Sequence, residues 1–326
     1  MLPQTLLLWL TGLLLTTHAA LHHPAPPTPS PPPATATPIY QFHGNNTWAE
    51  NLAIRPSGDI LVTRVDVPEL WHIHPTTGTG NLLHRFPHAT ALMGITEISP
   101  DVFALAVGNA TTTGHPVAGS WSIWTVDMNS RIPRIKELLA IPDAEWPNGV
   151  GRMDGLAGVI LVADCVKGVV FKVDVGKRTY EVTLQDPTMA MENVIGINGV
   201  HGYEGHVYYS STAKRTLYRI PVDHRVRATG PAETVLADTG VDDFAIAPDG
   251  TFYLMIHAGN QVLKLGRDNE VTVLVGHGNG TDVAGPTGGQ VTRDGRVLYV
   301  STCGACGGDS PWVEQGAEVL SVRLWG

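Results

Sequence analysis

The sequence predicts an all-β chain folded as a six-bladed β-propeller with four-stranded antiparallel blades. Three observations carry this expectation. Similar units begin near Glu50, Gly94, Asn148, Asn198, Asp243 and Thr287, at intervals of 44, 54, 50, 45 and 44 residues, the repeat length of a propeller blade. Within the units, short runs alternate apolar and polar positions, the period of a strand. Between runs stand PSGD, APDG and TRDG, turn sequences with glycine where a positive φ is tolerated.

The elements follow in chain order. Residues 5–16, TLLLWLTGLLLT, are a short apolar stretch followed by THAA. This is the pattern of a signal peptide over residues 1–20, and it is shorter than the roughly 20 apolar residues a membrane span needs. Residues 21–38 are rich in proline, which fixes φ and removes backbone donors, so they read as an extended linker. The propeller is expected over residues 39–326. PIYQFHG near its start is the strand expected to close the last blade beside AEVLSVRLW.

Second strands of the units read DILVTRV, VILVADC, HVYYSST, TFYLMIH and VLYVSTC, and third strands LWHIHP, SIWTVDM, VVFKVDV, TLYRIPV and QVLKLGR. RIPRIKELLAIPDAE is the stretch nearest to a helical pattern, and its prolines limit any helix to a turn or two. A sandwich or a β-helix is the competing all-β architecture.

The 326 residues carry a net charge of −9 without a basic run. That balance argues against a nucleic-acid partner and against binding to anionic membrane surfaces. With the signal-like start, the sequons at Asn45, Asn109 and Asn279 point to a glycosylated protein of the secretory pathway, free of the membrane after signal cleavage. Of the three cysteines, Cys303 and Cys306 lie in STCGACGGDS, where a loop disulfide is favoured over a redox or zinc site. Cys165 reads as buried in a strand, although its pairing with either of the others stays open. HIH at His72–His74 puts two imidazoles on one strand face, the spacing of a β-strand metal site, although a surface pair is the favoured reading.

In a propeller the first residues of the innermost strands meet at one channel mouth. Four units open there with oxygen-bearing side chains: Glu50, Asn148, Asn198 and Asp242. Two carboxylates and two amide oxygens suit a hard divalent cation such as Ca²⁺. Trp146, Phe244 and Met93 stand near the same strand starts and loops as candidate substrate-binding groups. His201 and His257 are candidate catalytic groups there.

AENLAIRPSGDIL, PNGVGRMD, INGVHGYEGHVYY and DDFAIAPDGTFYL give the chain, across roughly residues 39–326, a form that resembles the SMP-30/gluconolactonase-like propellers. In that family a Glu, two Asn and an Asp bind one divalent cation, and the Asp assists lactone hydrolysis. The resemblance therefore implies Glu50, Asn148, Asn198 and Asp242 as metal ligands, with Asp242 as the base. Two departures stand out. Asn51-Leu52 follows the Glu where the lactonases usually have Gly or Ser and Pro, and Asp242-Asp243-Phe244 replaces an Asp-Gly step, which is expected to put Phe244 near the mouth.

The signal segment, the sequons and the Asn-Gly openings are more similar to a secreted fungal branch that includes hetero-Diels–Alderases of tropolonic sesquiterpene biosynthesis. That likeness implies a pericyclase with small-molecule substrates, joining a tropolone quinone methide to a humulene-type polyene without a required cofactor. A metal-dependent lactonase and a non-catalytic ligand-binding propeller stay open beside it, as does the oligomeric state.

Overall fold

A computed structural model describes residues 34–44, 46–111, 114–304 and 315–324. They form six four-stranded antiparallel sheets. Blade 1 contains β2 (Ala49–Ile54), β3 (Ile60–Arg64), β4 (Glu69–His74) and β5 (Thr79–Arg85). Blade 2 contains β6 (Ala91–Ser99), β7 (Val102–Gly108), β8 (Ser122–Asp127) and β9 (Arg134–Ala140). Blade 3 contains β10 (Pro147–Arg152), β11 (Val159–Asp164), β12 (Val169–Asp174) and β13 (Thr179–Gln185). Blade 4 contains β14 (Ile197–Tyr203), β15 (His206–Ser211), β16 (Thr216–Pro221) and β17 (Glu233–Leu236). Blade 5 contains β18 (Val241–Ile246), β19 (Phe252–Ile256), β20 (Gln261–Leu265) and β21 (Val271–Gly276).

Blade 6 joins the two ends of the propeller. It runs β22 (Pro286–Val291), β23 (Val297–Thr302), β24 (Glu318–Arg323) and then β1 (Ala36–Gln41) as its outermost strand. Pro38 is tolerated in β1 because that strand is an edge, and the register shifts between Pro38 and Tyr40. Tyr40, Phe42 and Trp71 then pack with centroids 5.0–6.0 Å apart, which joins the closure strand to blade 1. RIKELLA within the near-helical stretch is the strand β9, so the helix-like reading gives way to the fourth strand of blade 2. Among the described residues the only helical pieces are two 3₁₀ turns, Pro187–Met189 and His257–Gly259.

The innermost strands touch in a ring, β2–β6–β10–β14–β18–β22 and back to β2. Burial follows that geometry. Six apolar clusters, one at each junction between neighbouring blades, form the core. The junction of blades 2 and 3, for instance, unites Ala104, Trp121 and Ile123 with Val150, Ile160 and Phe171. Wedge-like sheets bury both faces this way and leave only short edges.

All six innermost strands carry a register shift near their start: between Ala49 and Asn51, Leu92 and Ile95, Pro147 and Val150, Ile197 and Val200, Val241 and Phe244, and Pro286 and Gly288. A bulge bends a strand and re-aims its side chains. Glycine follows the mouth position in blades 3 and 4 because the inner strands approach too closely for a Cβ. One placed on Gly149 would lie 2.6 Å from the Asn198 carbonyl oxygen, and one on Gly199 2.8 Å from the Asp243 Cα.

Candidate active site at one channel mouth

The bulges place Glu50, Asn148, Asn198 and Asp242 around one cavity of about 770 Å³. Trp48, Met93, Trp146, Ile195, Thr212, Arg215 and His257 help to line it. The repeat positions thus bring all four polar residues together, with Trp146, Met93 and His257 beside them.

The polar groups form a connected set. Asn198 Nδ2 donates to Asp242 Oδ1 at 2.5 Å and to Thr212 Oγ1 at 3.2 Å. Asp242 Oδ2 lies 3.3 Å from His257 Nδ1. The His257 ring stacks on Trp48 at 5.6 Å, and its Nε2 lies 3.8 Å from Cys303 Sγ.

Glu50 is 6% exposed. Burial pushes its carboxyl up to about 8, and the charge of Asp242 adds to the rise, followed by that of Asp243. Trp48 opposes the rise, yet its indole N–H completes no hydrogen bond. Trp146 Nε1 and Asn198 Oδ1 are likewise buried without a partner. Such groups are uncommon in folded proteins and call for a reason.

Both tryptophans are held by their backbones. Trp48 N donates to Asp66 Oδ1 at 3.1 Å. Asp164 accepts from the N–H groups of Glu145, Trp146 and Lys167 at 2.7, 3.1 and 2.9 Å. Sequence reading singled out Trp146 and missed Trp48. The signal was present: each stands two residues before its blade's mouth residue, Trp48 before Glu50 and Trp146 before Asn148.

Two candidates lie elsewhere. Phe244 is fully buried between blades 4 and 5, against Phe252 and Leu254, and so is not at the mouth. The bulge between Val241 and Phe244 turns Asp243, rather than Phe244, toward the channel. Asp243 accepts from Asn51 Nδ2 at 2.8 Å and lies 3.0 Å from His201 Nε2. His201 lines a second cavity of about 760 Å³, with Arg55, Arg152 and Gln290, at the opposite ends of the inner strands. His201 is therefore separated from Asp242 and His257.

Cys165 is a free, buried thiol and Cys303 is disulfide-bonded. Cys165 therefore takes no part in a pairing, and Cys306 lies outside the described residues. Asn279 is exposed in a turn and Asn109 is half-buried after β7, whereas Asn45 and the signal-like segment lie outside the described residues. Among the described residues no helix is long and apolar enough to cross a membrane.

No family model matches the chain. In sequence it is 22% identical over 296 residues to a Phoma sp. protein named "Putative hetero-Diels-Alderase", covering 79% of this chain and 84% of that one. It is also 22% identical over 307 residues to a protein of the same description from Sarocladium schorii, covering 79% and 75%. In structure it superposes on a calcium-binding regucalcin from Agrobacterium tumefaciens with a TM-score of 0.63 and 15% identity, over 90% of this chain and 95% of that one. The fold is thus the six-bladed propeller that regucalcin also has, and the curated relatives carry the names of enzymes.

Proposed function

We propose that the protein is a pericyclase of the hetero-Diels–Alderase kind, acting on small molecules held at the Glu50–Asp242 mouth. Its substrates on this reading are a tropolone quinone methide and a humulene-type sesquiterpene. One observation carries the proposal: a largely apolar cavity that also holds unpartnered indole N–H groups and a carboxyl driven to its neutral form. In the cycloaddition the O=C–C=C unit of the quinone methide adds across an alkene. One C–O and one C–C bond form, the π electrons shift, and no proton or leaving group departs.

Catalysis then needs two things of the protein. Trp48, Trp146, Met93 and Ile195 supply apolar surface to hold the partners in near-attack geometry. A neutral Glu50, assisted by the Trp48 or Trp146 N–H, donates a hydrogen bond to the carbonyl oxygen as negative charge grows there. Asp242 stays fixed by Asn198 and His257, and its charge adds to the burial that keeps Glu50 protonated.

The same mouth fits a hard cation. Glu50 and Asp242 offer carboxylates, Asn148 and Asn198 offer amide oxygens, and the buried Asn198 Oδ1 lacks a hydrogen bond. A Ca²⁺-class ion held by these four would supply Lewis-acid polarisation of a bound oxygen. The Asp242–His257 contact favours a second reading, lactone hydrolysis with Asp242 as the base.

The test is to incubate purified protein with the two preformed partners, with and without exhaustive chelation. Acceleration and an altered regio- and stereochemical product ratio, both surviving the chelator, are expected. A product mixture identical to the spontaneous one refutes the proposal. Turnover of simple lactones, abolished by EDTA and by Asp242→Asn, would install the second reading instead.

A further inference from the structure

We infer a second, separate metal site for a first-row divalent ion such as Zn²⁺, formed by Asp59, His72 and His74 in blade 1. The antiparallel register pairs Ile60 with Ile73 and Leu61 with His72, which brings Asp59 opposite His74. All three side chains therefore project from one face of the β3–β4 ladder. His72 Nε2 lies 3.2 Å from Asp59 Oδ2, and His74 Nδ1 lies 3.0 Å from Asp59 Oδ1. One ligand atom from each residue falls within 4.8 Å of the other two. Ligand atoms about 2.0–2.1 Å from a tetrahedral Zn²⁺ are about 3.3 Å apart, so the ligand set already has nearly the right spacing. Two imidazoles and a carboxylate prefer Zn²⁺, Ni²⁺ or Cu²⁺ to Ca²⁺.

The surroundings allow an ion to enter and tie the residues down. The three side chains are 15–36% exposed. Ser57 Oγ donates to Asp59 Oδ2 at 3.1 Å, and the two rings lie 4.4 Å apart. Arg55 Nη1 stands 3.1 Å from His72 Nε2 and 3.7 Å from Asp59 Oδ2. Its Nε and Nη2 are committed to Asp101 of blade 2, at 2.9 and 2.7 Å. An incoming ion thus displaces the Nη1 contacts and takes the place of the two direct Asp59–imidazole contacts, while the Arg55–Asp101 pair stays. Arg55 and Ser57 also line the cavity at the channel end opposite Glu50. The site is therefore distinct from the Glu50–Asp242 mouth, and a bound ion would clip the β2–β3 turn to β4.

The probe is Zn²⁺ titrated calorimetrically into metal-stripped protein, with Co²⁺ absorption as a second readout. One Zn²⁺ per chain and a tetrahedral Co²⁺ spectrum are expected. His72→Gln/His74→Gln should weaken Zn²⁺ at least tenfold and abolish the tetrahedral Co²⁺ spectrum, whereas that spectrum should persist in Glu50→Gln/Asp242→Asn, which removes the carboxylates of the mouth. His74→Gln alone, at the most exposed ligand, guards against a misfolded double variant and should give the same direction of effect with the melting temperature of the metal-free protein unchanged. No Zn²⁺ uptake by the wild type, or equal uptake by the histidine variants, overturns the inference.

Discussion

Asn51 Nδ2 donates to Asp243 Oδ2 at 2.8 Å, joining blades 1 and 5 across 192 positions of sequence. Each residue lies in one of the two stretches, Asn51-Leu52 and Asp242-Asp243-Phe244, that set this sequence apart from the pattern it resembles, and the structure makes them partners. Where blades 2, 3, 4 and 6 have Gly94, Gly149, Gly199 and Gly288 just past the mouth, blades 1 and 5 have this pair. Asp243 also meets His201 and the Phe244 N–H. Asn51→Ala is expected to lower stability by about 1–3 kcal/mol, since it leaves a buried carboxylate oxygen unpaired. A double-mutant cycle with Asp243→Ala should show clear coupling between the two positions in denaturant unfolding; additive effects would mean the contact is incidental.

Glu50 sets two pH dependences. Its folded pKa of about 8 lies above the ordinary carboxylate value of 4.5. Between those values the folded state holds a proton that the unfolded state has lost, so stability falls as pH rises through this window and levels off above about 8. Glu50→Gln should therefore raise the melting temperature at pH 8, with the gain vanishing as pH approaches 4.5. If the neutral carboxyl is the donor, cycloaddition should decline above pH 8 in the wild type but stay level in Glu50→Gln. Scanning calorimetry and pH–rate profiles check both.

Trp48 and Trp146 are the apolar walls that also carry indole donors. Replacing either by Phe keeps the surface and removes the N–H; a loss of roughly tenfold or more in rate is expected from one lost transition-state hydrogen bond. Replacing both by Ala should return the product ratio toward the spontaneous mixture. Single-turnover rates and chiral chromatography read these outcomes.

Phe244 behaves differently. Truncation to Ala in its fully buried setting should cost about 3–5 kcal/mol of stability. Product stereochemistry from the folded fraction should not change, because the ring faces the junction of blades 4 and 5. Urea titration paired with product analysis below the unfolding transition separates the two effects.

The blade boundaries were legible because strand alternation and turn sequences are local. Second and third strands were found within a residue or two, and the mouth residues emerged from counting equivalent positions. The rest depended on features that a single sequence hides. A bulge adds one residue without changing composition, so the Asp242-Asp243-Phe244 step reads as bringing Phe244 to the mouth, whereas across the bulge it is Asp243 that meets Asn51 and His201. His201 looked close to Asn198, but three residues of strand carry it about 10 Å toward the other end. Trp48 was overlooked because the repeat was read from its polar openings and not from the two residues before them. RIKELLA passed as helix-like because it lies on a blade's outer edge, where one side meets water and apolar spacing loosens.

The pairing of residues 36–41 with 318–323 has a temporal consequence. The earliest described strand finds its neighbour only after almost the whole polypeptide exists, a contact of extreme sequence separation that slows maturation. Until then five sheets must wait in an open arc with a bare flank, which is when helper proteins or premature self-association would act on the nascent molecule.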